Sequence, residues 1–291
     1  MLTQSQLQIF PILGCNLLLA IGCSNISQSA SIAAPPTSQA KLEHTIHAPQ
    51  ESTRNIPQEI QQLIQALKTQ PDDRTTLSKK LAAIGQPAIP HILPLLTDSN
   101  PGIRFYAAYT LGQMGTVAQS TVPQLVPLLK DSDRDVRRST ADALGSMGNA
   151  AKLALPEILS LLKDPDSDRR LTGLYTLGQI NLVLKTHDRA LQSVLPHLIS
   201  LLQDPDLVVS LGSAQVLGSL EESAKPALPK ILPLLKHANP GVRINTLYTL
   251  EWLGKTAQSA LPHITPLLKD AHPEVRDRAA VTLKHLKQLR N

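Results

Sequence analysis

The stretch Asp131-Ser-Asp-Arg-Asp-Val-Arg137, followed by Ala143-Leu-Gly145, Leu155-Pro156 and Leu161-Leu-Lys163, decides the fold of this 291-residue chain. The same order of residues returns along the sequence, with unit starts at Asp98, Asp131, Asp164, Asp204, His237 and Asp270. The steps are 33, 33, 40, 33 and 33 residues, and the long one reflects seven extra residues around Asn181 to Asp188. A degenerate first unit ends at Leu95-Leu96, and the last unit stops after one helix. A fixed period of some tens of residues is the signature of a stacked repeat architecture.

Each unit reads as two helices. The first follows a turn and N-cap such as Asn100-Pro101-Gly102 or Asn239-Pro240-Gly241. Its apolar positions, Ile103, Ala107, Leu111 and Met114, fall on one helical face. It often ends at a glycine, as at Gly115, Gly148 and Gly254. The second helix is expected to begin near Pro90, Pro123, Pro156, Pro196, Pro229 and Pro262, because a helix's first turn does not need the missing N–H. It ends at a Leu-Leu pair and usually a lysine, which suits the carboxyl end of the helix dipole. One pair cannot bury its apolar face alone, whereas stacked pairs can. The expectation is an all-α solenoid, with an extra amphipathic helix through Ile60, Leu63, Ile64 and Leu67 capping one end and the helix from Glu274 to Leu289 capping the other.

Composition agrees. Hydrophobic residues make up 42% of the chain but aromatics only 2%, so the core must be built from Leu, Ile, Val and Ala. This disfavours aromatic stacking platforms for single-stranded nucleic acid. The 23 prolines need a regular place in the architecture. Cys15 and Cys23 are the only cysteines, which excludes a disulfide framework and cysteine-based zinc sites.

Valine-arginine, leucine-glycine, leucine-proline and Leu-Leu-Lys-Asp at this period resemble HEAT repeats, in particular the short-repeat subgroup named after phycobilisome (bilin) lyases. The resemblance covers residues 57 to 291 and implies a right-handed α-solenoid of about six to seven HEAT-like helix pairs. It says little of function, because the matching residues are the packing ones. The subgroup includes bilin lyases, di-iron hydroxylases and plain binding scaffolds, and its name makes a cyanobacterial source plausible.

The amino terminus reads as an address. No Asp, Glu, Lys or Arg precedes Lys41, and a mostly apolar run from Ile9 to Gly22 ends at Leu19-Ala20-Ile21-Gly22-Cys23-Ser24. This resembles a bacterial lipoprotein signal, which implies cleavage before Cys23 and lipidation of Cys23, with residues 1–22 as the signal. Ile12-Leu13-Gly14-Cys15 also fits the box, behind a much shorter apolar run. The pattern departs from an export signal in one respect, since Met1 to Phe10 hold no Lys or Arg. Another export signal, an uncleaved anchor or a misassigned start are the alternatives. The run is short and interrupted by Pro11 and Asn16, unlike a spanning helix. Residues 23–56, rich in Ser, Ala, Pro, Gln and Thr, read as a flexible tether. The expected location is therefore the envelope or periplasmic side of a bacterial membrane, held through the lipid.

Arg104, Arg137, Arg170, Arg243 and Arg276 share one position, and Ser210 breaks the row. Such a row could bind phosphates, but pairing with turn acids such as Asp131 and Asp164 is the favoured expectation. The net charge of +5 lies mostly in residues 276–291, which carry +4, and this is a terminal cap rather than a nucleic-acid groove. His91, His197 and His263 share another position and lie too far apart to hold one metal. The di-iron hydroxylases use His-Glu pairs. None of the nine histidines here is followed by Glu, and His187-Asp188 is the nearest approach. No glycine-rich phosphate loop or Gly-x-Ser-x-Gly elbow occurs. No catalytic residue, cofactor, metal or nucleic acid is expected.

Two features remain. A second proline follows the first by four residues at Pro94, Pro127, Pro233 and Pro266, with Ser160 and Ser200 in the other units. It reads as a kink that sets curvature or as a rigid groove surface with free carbonyls. Tyr109, Tyr175 and Tyr248 share a position nearly opposite the first helix's core face, and Phe105 with Tyr109 and Tyr248 with Trp252 are i, i+4 pairs. These rings pack against adjacent helices or the tether, or they anchor a protein partner. The expected function is a non-catalytic protein–protein interaction scaffold. The alternative is a bilin-lyase-like enzyme or subunit acting on phycobiliproteins.

Overall fold

The computed structural model describes residues 55–184 and 189–289. The signal-like run, Cys15, Cys23, the tether up to residue 54 and His187-Asp188 lie outside the described residues. From Ile56 onward the chain forms one compact unit. Its α-helices are α1 (Ile56–Thr69), α2 (Arg74–Ile84), α3 (Ile89–Ile92), α4 (Pro101–Met114), α5 (Val122–Leu125), α6 (Arg134–Ser146) and α7 (Leu155–Leu161). They continue as α8 (Ser167–Leu184), α9 (Arg189–Leu201), α10 (Leu207–Ser219), α11 (Leu228–Ile231), α12 (Pro240–Leu253), α13 (Leu261–Ile264) and α14 (Pro273–Gln288). No strand occurs among the described residues, and the architecture is an all-α solenoid in which α4, α6, α8, α10, α12 and α14 pack side by side.

The first helix of each unit forms as its sequence expects. Asn100 and Asn239 accept hydrogen bonds from the Gly102 and Gly241 N–H groups at 2.9 and 2.8 Å. Asp133 accepts from both Asp135 and Val136, and Asp206 from Val208 and Val209. The turn before each cap is held in the same way, with Asp98, Asp131, Asp164, Asp204 and Asp270 each accepting the N–H two residues on. Gly85, Gly115, Gly148 and Gly254 leave their helices at φ of 76°, 57°, 60° and 54°. The counterpart in the fourth full unit is Glu221, at φ 49°. A side chain is strained there, so Glu221→Gly should stabilise the protein by about 1 kcal/mol, read as a raised urea midpoint.

The second helix is not the single α-helix expected from the proline. In most units it is three short pieces. A 3-10 run (Gly115–Thr121, Glu221–Ala227, Gly254–Ala260) leads into one α turn (α5, α11, α13), and a second 3-10 run follows (Val126–Lys130, Leu232–Lys236, Thr265–Lys269). The second proline explains the last piece. Pro94, Pro127, Pro233 and Pro266 each sit second in such a run. Proline has no N–H to give the carbonyl four residues back and its ring crowds that carbonyl, so the chain tightens to i→i+3 bonding. Where serine replaces it the α-helix persists, through Ser160 in α7 and Ser200 in α9. In α9 the first proline, Pro196, is interior, because the helix already begins at Arg189.

The leading 3-10 runs have their own pattern. A 3-10 helix has three residues per turn, so i and i+3 eclipse. The eclipsed pairs are small and fully covered: Ala118 with Thr121, Ala151 with Ala154, Ala224 with Ala227 and Ala257 with Ala260. Small residues let the runs of neighbouring units approach. The main core is a periodic column as well. Ile92, Leu125, Ile158, Leu198, Ile231 and Ile264 share one position and are completely buried. Leu129, Leu162, Leu202 and Leu235 are buried at another, while their counterpart Leu268 is 42% exposed. At the other end, α1 supplies Ile60, Leu63 and Leu67 to the core, as the capping role requires.

Candidate functional site

The first helices carry every aromatic side chain among the described residues. In α4, Phe105 stacks on Tyr109 with ring centres 6.4 Å apart, and Tyr106 meets both edge-on at 4.9 and 6.2 Å. In α12, Tyr248 stacks on Trp252 at 5.5 Å. Both i, i+4 pairs therefore exist as surface clusters. Trp252 is 41% exposed, and the remaining rings are half-buried.

The half-burial has a cause that helical spacing within one unit does not register. Each first helix packs against the first helices of both neighbours, so its flanks are covered although its outer edge is not. The Arg138 guanidinium lies over the Tyr175 ring at 5.6 Å, and Tyr175 Oη donates to Asp142 Oδ1 at 2.5 Å. Burial, reinforced by that carboxylate, pushes the Tyr175 hydroxyl above its ordinary value. Tyr248 is covered on one face by Arg278 of α14 at 4.0 Å, and Arg278 is ion-paired with Glu251. Trp252 sits against Gly218 of α10. Tyr106 was not among the expected anchors, although its i, i+3 spacing to Tyr109 places it in the same cluster. The two arginines are sequence-distant and have no motif that would identify them.

The arginine row closes on itself. Arg104, Arg137, Arg170, Arg243 and Arg276 each donate through Nη1 to two carbonyls of their own turn, at 2.7–3.2 Å. Three also reach the turn acid of the next unit. Arg104 grips Asp131 with two bonds of 2.8 and 2.7 Å, Arg170 reaches Asp204 at 2.8 and 2.9 Å, and Arg243 reaches Asp270 at 2.7 Å. Arg137 departs from the expected pairing. Its Nε donates to Thr172, and Asp164 instead lies 3.4 Å from Arg169. Where Ser210 breaks the row, Asn245 donates to its hydroxyl at 2.8 Å. These guanidinium groups are committed to their own turns and to neighbouring carboxylates.

The pairing sets an acid dependence. The Arg243 hydrogen bond holds the Asp270 carboxyl below its ordinary 3.8. At Asp131 burial pushes upward, but the bonds from Arg104 and from the Asp133 N–H outweigh it and the net shift is downward. A carboxyl lowered by folding stabilises the protein above its unfolded value, and that stability is lost as pH falls through the folded value. The contribution of these aspartates should therefore be constant above the ordinary carboxylate range and be lost as pH falls below 3.8, with Arg243→Gln reducing that slope in acid-titrated urea melts.

His91 and His263 are exposed and His197 is half-buried, and burial followed by nearby Lys163 pushes the His197 imidazole down. No group of three His, Cys, Asp or Glu side chains is placed to hold a metal among the described residues. No helix among them is long and apolar enough to cross a membrane.

Solved structures with similar folds include an archaeal HEAT-like repeats protein from Thermococcus onnurineus NA1, at 16% identity and a TM-score of 0.45, covering 80% of this chain and 98% of that one. An engineered protein matches at 21% identity and a TM-score of 0.44, covering 69% and 97%. A chain from the CpcE–CpcF complex of phycocyanin lyase from Nostoc sp. PCC7120 matches at 21% identity and 0.41, covering 56% and 98%. No curated protein sequence matches. The model for HEAT repeats matches residues 122–195 and 195–284, and a single HEAT repeat model matches residues 88–118. These matches span more than half of the chain, with the helix pairs and buried columns described above, and the chain belongs to the HEAT-repeat family.

Proposed function

We propose that this protein is a non-catalytic scaffold that binds protein partners and is held at a bacterial membrane by a lipid on Cys23. The observation that carries the scaffold reading is the outer edge of the first helices. In a protein with seven aromatics, Trp252 is left 41% exposed on top of Tyr248, and Phe105 and Tyr109 form a second stack. Large rings held by their neighbours and open on one edge are pre-ordered anchors, which lose little side-chain entropy on binding. Tyr175 contributes less, because its hydroxyl and one face are already engaged. The lipid and the tether, residues 23–56, set the location, on the envelope side. The apolar run ending at Cys23 supports that part of the reading.

The combined variant Tyr248→Ala, Trp252→Ala tests the anchors. Its helical circular dichroism should be unchanged, and its affinity for captured partners should fall by at least about tenfold, as expected for central aromatic anchors. A fold that collapses in the double variant would make the rings packing residues, and unchanged partner binding would remove them as anchors.

A further inference from the structure

Two charged ladders run along the units, and only one of them is closed. The arginines pair with aspartates as described. The lysines at the ends of the second segments, Lys130, Lys163, Lys236 and Lys269, share one position. Lys130 shows where that position reaches. Its ammonium lies 2.5 Å from Glu157 Oε1 and 3.2 Å from Ser160 Oγ of the next unit.

Glu157 is the single acid at its position, which is His91, Gln124, His197, Lys230 and His263 in the other units. The register that joins opposite charges once thus sets the later lysines against residues that carry no negative charge. Lys163 faces His197, whose imidazole burial and this ammonium both push down, and the equivalent partner of Lys236 is His263. Lys163, Lys230, Lys236 and Lys269 are all exposed, and none has a carboxylate partner among the described residues.

The surface between them is proline. Pro229, Pro233, Pro262 and Pro266 are exposed. Pro233 and Pro266 have no N–H to give the carbonyls of Pro229 and Pro262, which lose their usual helical donor. The face therefore offers ammonium groups and carbonyl acceptors and is poor in N–H donors. Its complement is a chain that supplies carboxylates and backbone N–H groups. A membrane of anionic lipid would meet the ammonium groups but would offer the carbonyls no amide donors.

We propose that the lysine and proline face of the later units docks an acidic, extended polypeptide segment. This deepens the scaffold reading and rests on it. Neighbouring helices pack about 10 Å apart, and an extended chain rises about 3.3 Å per residue. The fitting segment carries an acid at every third position.

The test uses the full chain in detergent and a fluorescent synthetic peptide with Glu at every third residue and Ser between. Anisotropy should show binding that weakens steeply with added salt. The variant Lys163→Gln, Lys230→Gln, Lys236→Gln, Lys269→Gln should lose at least about tenfold in affinity, while Lys130→Gln, whose ammonium is already paired, should change it less than about threefold. All the substituted lysines are exposed, and all except Lys130 lack a carboxylate partner among the described residues, so unchanged thermal melts would show both variants folded. No binding at low salt, or equal affinity in the quadruple variant, would overturn the proposal. Equal binding of a peptide with its acids clustered would overturn the register. Binding only to phosphatidylglycerol vesicles, lost in the same variant, would transfer the face to lipid. Partner capture that is retained while the peptide fails to bind would leave the scaffold reading standing, so the two fail separately.

Discussion

Arg243→Ala is expected to destabilise the protein by about 3–4 kcal/mol in urea unfolding, because it removes one partner of a nearly buried ion pair and leaves carbonyls without donors. The Arg243 and Asp270 side chains are 9% and 10% exposed. The guanidinium also closes the turn through the His237 and Ala238 carbonyls at 2.7 and 3.0 Å. One side chain thus locks its own turn and ties it to the next unit. Arg276 provides the contrast. It closes its turn through the Asp270 and Ala271 carbonyls and makes no ion pair with an acid among the described residues. Arg276→Ala should cost only about 1 kcal/mol, the usual net worth of such hydrogen bonds. Equal costs for the two variants would mean that the ladder contributes nothing between units.

Gly218→Ala is expected to cost about 2–3 kcal/mol, through overpacking that separates two helices. A Cβ there would lie 2.3 Å from Trp252 Cβ, an atom that cannot swing aside without moving α12. Gly112 and Gly145 make the same close approach to Ala143 and Gln179, at 2.9 Å. Gly212 in the same helix α10 is the control. Its nearest neighbour would be the Leu174 Cδ1 methyl at 3.3 Å, at the end of a flexible side chain. Gly212→Ala should change stability by no more than about 0.5 kcal/mol, since alanine's better helix propensity offsets a small adjustment. Because Gly218 seats Trp252, Gly218→Ala should also shift the tryptophan emission, whereas Gly212→Ala should not.

The repeat fold was legible because its determinants are periodic and local. Asn100 and Asn239 as caps, Gly115, Gly148 and Gly254 at helix ends, and the Ile92 to Ile264 column all recur at fixed spacing. The winding of the second segment was less legible. Pro127 was visible as an interruption that tightens the last piece, but the leading 3-10 run depends on small pairs such as Ala151 with Ala154 that let neighbouring runs close. The partners of Arg137 were missed for a related reason. Thr172 lies 35 residues away and is supplied by the flank of the next first helix rather than by a turn. The aromatic positions were found from sequence, but their half-burial was not. Helical phase within a unit fixes which way Tyr248 points and says nothing of Arg278 arriving from α14. The lysine ladder was visible as a run of helix-ending residues, and its uncompensated charge emerged only when Lys130 was seen to reach Glu157 of the next unit.

These features give one physical picture. Internal pairing of arginine with aspartate and buried aliphatic columns hold the stack, and the proposed scaffold uses the exposed aromatic edge and the lysine face for its partners. The direct measurement is affinity capture of the natively expressed protein, tagged at its carboxyl end, from detergent-solubilised membranes, with mass spectrometry of the intact bait and of what it retains. The expected result is a bait beginning at a diacylglycerol-modified Cys23, with envelope proteins that are absent from the Tyr248→Ala, Trp252→Ala capture. An unprocessed, soluble bait carrying antenna proteins or a tetrapyrrole would contradict the tethered scaffold.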